Sequence, residues 1–232
     1  MRTQIILFSL FFALMLPSCD TLKQVLSDPT TEEIGSALKQ ALEFGIKEGA
    51  NLLSQRDGYY TSPYKILLPE EARRVTNRLK IIPGFSDIEK VIVEKLNHAA
   101  EDAAKSAAPI FVDAIRQMTF DDALNILMGS QNAATQYLQT KTYSPLYDQF
   151  HPVIVTSLNK FNAIQYWADA INAYNKIPLV EKVNPKLDEY VTGKALDGLF
   201  AMVALKELKI RTDISTRTTD LLKKVFAKQD RG

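Results

Sequence analysis

His98 is the natural starting point, because an imidazole beside carboxylates can bind a metal ion or move a proton. Glu94, His98 and Asp102 recur every four residues, and Glu101 lies three residues after His98. On a helix that spacing sets carboxylates next to the ring. A nitrogen-rich zinc site draws on two or three His or Cys ligands, whereas the other histidine here, His151, stands in a separate segment before Pro152. The group His98, Glu101 and Asp102 therefore reads either as a reactive cluster or as a helix face with an ion pair and an interior polar residue. No nucleophile elbow G-x-S-x-G, phosphate loop G-x-x-x-x-G-K-[ST] or dinucleotide glycine fingerprint is present. No catalytic residue, metal ligand or cofactor is assigned from sequence, and the expectation is a protein that is not an enzyme.

The second reactive side chain is Cys19, the one cysteine of the chain. A single thiol excludes an intrachain disulfide. It follows a short positive start, Met1-Arg2-Thr3, and an apolar run, Ile5 to Leu16, which has signal-peptide length and is too short to span a membrane as a helix. Leu16-Pro17-Ser18-Cys19 resembles the bacterial lipobox, in which diacylglycerol is attached to the cysteine and cleavage makes it the mature N-terminus. Each buried CH₂ contributes about 0.8 kcal/mol, so two or three acyl chains anchor stably where one does not. Residues 1–18 are expected to be a cleaved lipoprotein signal peptide, 19–30 a lipidated tether, and 31–228 a helical domain. The implied location is the cell envelope: an exported, membrane-anchored lipoprotein facing the periplasm. Asp20 resembles an inner-membrane retention signal of enteric-type sorting, but other lineages read that position differently, so the choice of membrane stays open.

The elements that position these residues read as helix after helix. Thr30 and Glu33 have capping-box spacing and open a helix to about Ser54, with Gly35, Gly45 and Gly49 inside it; close packing is expected to compensate their low propensity. Tyr59 to Leu68 is strand-like but interrupted by Pro63, and is expected to be an extended segment crossing the helices. Pro69 suits a helix start. Ser86 and Glu89 repeat the capping-box spacing before a long helical stretch to about Met118, which Pro109 should break near Ser106. Thr119 with Asp122 begins a short helix ending at Gly129. Further helices fit Pro145–Lys160, Asn162–Lys176, Pro185–Arg211 and Asp213–Lys228. With no strand alternation and no fixed-period repeat, the fold class is all-α, one bundle-like domain of about eight or nine helices.

The 232 residues carry a net charge of +1, which leaves no global footprint for nucleic acid. Two polar clusters stand at helix junctions: Asp113, Arg116, Asp121 and Asp122, then Arg211, Asp213, Arg217 and Asp220. Caps and surface pairs are the expected roles, with Arg211 or Arg217 bridging the last helix to the bundle. Aromatic residues concentrate in the middle of the chain. Tyr143, Tyr147 and Phe150 share one helix face, and Trp167 follows in the next helix. Such a stripe is either core or the wall of a groove that takes an apolar ligand or a partner helix.

Several blocks occur in an order that carries a resemblance. They include Asn97-His98-Ala99-Ala100-Glu101, Asp122-Ala123-x-x-Ile126-Leu127, Ala133-Ala134-Thr135-x-Tyr137 and Phe150-x-Pro152-Val153. The longest runs are Tyr190-Val191-Thr192-x-Lys194-Ala195-Leu196-Asp197-Gly198-Leu199-Phe200 and Arg217-Thr218-x-Asp220-Leu221-Leu222-Lys223-Lys224-Val225-Phe226. The set resembles the bacterial family of unknown function DUF4197, from about Ile34 to Phe226. The resemblance implies an α-helical, exported, often lipid-anchored protein and brings no catalytic or binding residues. Two functions remain in view. One is a non-enzymatic module that binds another envelope protein or organises the cell surface. The other is a periplasmic carrier or sensor of a hydrophobic ligand.

Overall fold

The computed structural model describes residues 28–119, 121, 123–183 and 186–231; Cys19, Asp122, Asn184 and Pro185 lie outside them. Nine α-helices and no strand occur among the described residues: α1 (Thr31–Leu53), α2 (Glu70–Leu79), α3 (Ile88–Ala104), α4 (Ala107–Gln117), α5 (Ala123–Met128), α6 (Ala133–Lys160), α7 (Ala163–Asn175), α8 (Leu187–Thr212) and α9 (Asp220–Phe226). The all-α expectation is met.

The core is built around α1 and α8. Helix α1 buries Ile34, Leu38, Leu42, Ile46 and Leu53 along one stripe, as its spacing predicts. Helix α8 buries residues around most of its circumference, including Val191, Leu196, Leu199, Val203 and Ile210. The two approach so closely at Gly45 and Gly49 that a Cβ on Gly45 would stand 2.9 Å from the Val203 backbone, and one on Gly49 would stand 2.6 Å from Met202 Cβ. The helix glycines are therefore a contact surface. Around this pair, α4, α5 and α9 pack on α1, α6 packs on α8 and α3, and α7 closes against α2 and α3.

Local chemistry explains several of the element boundaries. Thr30 Oγ1 accepts from Glu33 N–H, and Glu33 reaches back to Thr30 N–H, forming the expected capping box. The helical stretch from 88 to 117 breaks at Lys105 and Ser106, so Pro109 falls in the first turn of α4, where no N–H is required. Tyr59 to Leu68 is not extended throughout: residues 59–64 form a run of turns, with Ser62 N–H donating to the Tyr59 carbonyl and Lys65 N–H to that of Ser62, and only 65–68 run on without a turn. Asn97 Oδ1 and Nδ2 hold the N–H and carbonyl of Ile66 at 2.8 Å each, replacing the sheet partner the segment lacks.

Three boundaries differ from the sequence reading. Ser86 and Glu89 do not form a capping box: α3 starts after Asp87 without a side-chain cap, and Glu89 instead pairs with Lys80. No helix begins at Pro145; α6 runs through both Pro145 and Pro152. Each internal proline costs about 3 kcal/mol, and the burial of Leu138, Leu146, Phe150, Ile154 and Leu158 on one continuous face opposes that cost. The C-terminal helix is shorter than Asp213–Lys228. Asp213 accepts from Ser215 N–H in a 3₁₀ turn, and Thr219 then caps α9 through Leu222 N–H.

Arg217 closes this end of the molecule. Its guanidinium grips both Asp230 oxygens at 2.6 and 2.8 Å and donates to the Ile210 and Arg211 carbonyls, joining the end of α8 to the segment after α9. That guanidinium holds the Asp230 carboxyl below its ordinary 3.8 despite partial burial. Hydrogen bonds from Lys224 and the Thr30 N–H lower Glu33 in the same way. A depressed carboxylate contributes stability above its unfolded-state value, and that stability is lost as pH falls through the folded-state value. The urea midpoint is therefore expected to drop on acidification below about pH 4, and to drop less in Asp230→Asn. Equal acid losses in the two proteins would remove Asp230 from the account.

Candidate functional site

The residues with chemical potential meet where the turn after α1 passes α3. Arg56-Asp57-Gly58 reverses the chain there. Asp57 takes a left-handed φ of 63°. Gly58 lies so near the end of α1 that a Cβ would stand 2.6 Å from the Leu52 carbonyl oxygen, so the turn requires glycine. Tyr59 then enters the core and donates its hydroxyl to the Ala195 carbonyl at 2.8 Å. Burial pushes its phenol well above the ordinary value, and the charges of Glu101 and Asp197 add to that shift.

This turn delivers the Tyr59 and Tyr60 N–H groups to Glu101 Oε1, both at 3.1 Å. The other oxygen, Oε2, lies 2.8 Å from His98 Nδ1. Behind the ring, His98 Nε2 is 3.6 Å from Glu94 Oε1. Glu101 is buried, and His98 keeps about a fifth of its side-chain surface exposed. Asp57 completes the group: one ligand atom each from Asp57, His98 and Glu101 lies within 4.8 Å of the others. His98 and Glu101 border a cleft of about 370 Å³ whose other lining residues are Ser54, Arg56, Asp102, Lys105 and Phe161.

Asp102 lines the same cleft but turns away from the ring. It accepts from Ser157, Lys160 and Lys105. Partial burial opposes its ionisation, yet those hydrogen bonds prevail and hold its carboxyl below the ordinary value. His151 is remote in role: its Nε2 is 3.2 Å from Asp188 Oδ2, and its ring stacks on Tyr147. Sequence spacing identifies His98, Glu94 and Glu101, because they share a helix. Asp57 has no such signal, since its approach depends on a turn from another part of the chain.

The aromatic stripe packs inward. Phe150 is fully buried, Tyr143 stacks between Tyr147 and Phe200, and Trp167 is nearly buried on α7. Burial raises the Tyr143 hydroxyl above its ordinary value, and the nearby Asp197 charge adds to this. Trp167 borders a second cleft, about 270 Å³, with Leu96, Leu158, Ala163, Ile164 and Leu187 among its walls. Of the junction clusters, Arg116 turns to Glu43 on α1 at 3.5 Å. Arg211 enters the core beside Glu207, a residue that sequence spacing does not mark as important.

Among the described residues, no helix is long and apolar enough to cross a membrane. Residues 28–227 match the family model described as "Protein of unknown function (DUF4197)". No curated protein and no solved structure matches the chain.

Proposed function

We propose, for a chain that belongs to the DUF4197 family of proteins of unknown function, the role of a lipid-anchored, non-catalytic binding module of the bacterial cell envelope. The observation that carries the reading is Leu16-Pro17-Ser18-Cys19, with residues 20–30 leading from it to the cap of the first helix of the domain. Acylation of Cys19 would hold the helical domain at a membrane surface, on the periplasmic side, through a tether that ends at Thr30. Two further features support a module that engages a protein partner by its surface. The aromatic stripe is spent on core packing, and large apolar side chains such as Leu67, Ile81 and Leu179 remain exposed.

A carrier or sensor of a hydrophobic ligand is the second reading. The apolar cleft beside Trp167 favours it, because its walls suit an acyl or aromatic group. In-cell crosslinking of the anchored protein, with co-purified proteins and lipids identified by mass spectrometry, separates the two. A recurrent envelope protein supports the first reading and a recurrent lipid the second; recovery of neither counts against both. The anchor has its own test. Cys19→Ala should leave an unprocessed precursor or release the protein from membranes. If the variant still fractionates as a mature, acylated membrane protein, the anchor is wrongly placed.

A further inference from the structure

We infer that Asp57, His98 and Glu101 form a binding site for a divalent transition-metal ion of the zinc class, with a coordination position open to the cleft. This inference is independent of the anchoring at Cys19.

The ligand atoms come from two separate parts of the chain, and each is aimed by the fold. The two N–H bonds to Glu101 Oε1 fix the carboxylate in rotation. They leave Oε2, the oxygen facing His98, to bind. Glu94 stands behind the ring at Nε2. A metal at Nδ1 requires the tautomer with its proton on Nε2, where Glu94 Oε1 stands 3.6 Å away, beyond hydrogen-bond distance but near enough for its charge to favour that proton. The Nδ1–Oε2 distance of 2.8 Å is near the separation of about 3.0–3.4 Å between adjacent ligands that each lie roughly 2.1 Å from one ion. Asp57 sits within 4.8 Å of the other two ligand atoms and is partly exposed, and binding the same ion would draw it in to about 3.0–3.4 Å.

Donor chemistry selects the ion. One imidazole nitrogen and two carboxylate oxygens suit zinc, manganese or iron(II). Magnesium and calcium favour all-oxygen sets, and the imidazole disfavours them. The cations bordering the cleft leave the site its negative charge. Lys105 is paired with Asp102 at 3.0 Å, and Arg56 is almost wholly exposed at 4.0 Å from Asp57, a separation worth little in water. Bound there, the ion would clasp the turn after α1 to α3, and the cleft would admit water or an anionic group to the open position.

The test uses the full chain in detergent, titrated with zinc by calorimetry and with cobalt(II) by visible absorption. The expected result is one ion per chain, with a d–d band characteristic of few-coordinate cobalt, and no comparable heat from magnesium. His98→Gln should abolish binding. Asp57→Asn should weaken it at least about tenfold while leaving the circular dichroism unchanged, because asparagine accepts the left-handed turn. Glu94→Gln should weaken it by less than Asp57→Asn does, because Glu94 acts on the ring only through its charge at 3.6 Å. Absence of stoichiometric binding would overturn the inference, and so would binding that survives both His98→Gln and Asp57→Asn. Either result would leave His98 and Glu101 as a structural ion pair.

Discussion

Glu207→Ala is expected to cost about 3–5 kcal/mol of folding stability, the largest loss for a single side chain outside the apolar core. Glu207 is fully buried on α8, and its carboxylate accepts four hydrogen bonds. It accepts from the Ala134 and Thr135 N–H groups at 3.0 and 2.8 Å, from the Thr135 hydroxyl at 2.6 Å, and from Arg211 Nε at 2.8 Å. Helix α6 has no side-chain cap of its own at Asn132. Glu207 therefore caps that helix from across the core, serving the second and third N–H groups that a local Ser or Asp would serve. Arg211, buried beside it, donates onward to the Leu127 and Ile126 carbonyls at the end of α5. Removing the carboxylate leaves a buried guanidinium without its counter-charge and two buried N–H groups without an acceptor. Each is expensive in a low-dielectric interior.

Equilibrium denaturation checks this, with a double-mutant cycle to isolate the pair. Arg211→Met should also destabilise strongly, because it strands a buried carboxylate. The double variant Glu207→Ala/Arg211→Met should lose less than the sum of the two single changes. If Glu207→Ala unfolds within about 1 kcal/mol of the parent, the buried network is not what joins α5, α6 and α8.

The second large effect has opposite signs at two glycines. Replacing a helix glycine by alanine ordinarily gains up to about 1 kcal/mol. Gly193, on α8, should follow that rule, since a new Cβ would meet only the Tyr143 hydroxyl at an ordinary 3.5 Å. Gly45 should break it. There the new methyl meets the Val203 backbone at 2.9 Å, and a backbone can give way only by moving α8. Gly45→Ala is expected to lose about 1–3 kcal/mol net, the usual range for overpacking a tight core. Thermal unfolding of the two variants should move in opposite directions. Stabilisation by both would mean that α1 and α8 do not approach as closely as described.

These two cases also mark what the sequence could convey. Apolar spacing and the Thr30–Glu33 pair fixed α1 almost to the residue, because both are local patterns. The glycines of α1 were legible as a sign of close packing, though their partner, α8, was not. Glu207 was invisible: the cap it supplies lies 72 and 73 residues away, and capping is recognisable in sequence only when the acceptor sits at the helix start. Pro145 misled for the complementary reason. Its local cost is real, but the continuous buried face of α6 outweighs it. The candidate site divides the same way. His98 and Glu101 share a helix and could be paired by counting, whereas Asp57 joins them only through the fold.

The pairing of α1 with α8 has a consequence for the order of assembly. A ribosome releases the first described helix long before its principal partner, and α9, whose Thr219 and Lys224 bind Gln40 and Glu33, emerges later still. Until then α1 holds an apolar stripe that nothing can cover fully. The native core is thus closed by contacts of very long sequence separation, whose loop-closure entropy must be met before they form. The cooperative core therefore cannot close before α8 and α9 have emerged, and full resistance to unfolding is expected only after that point.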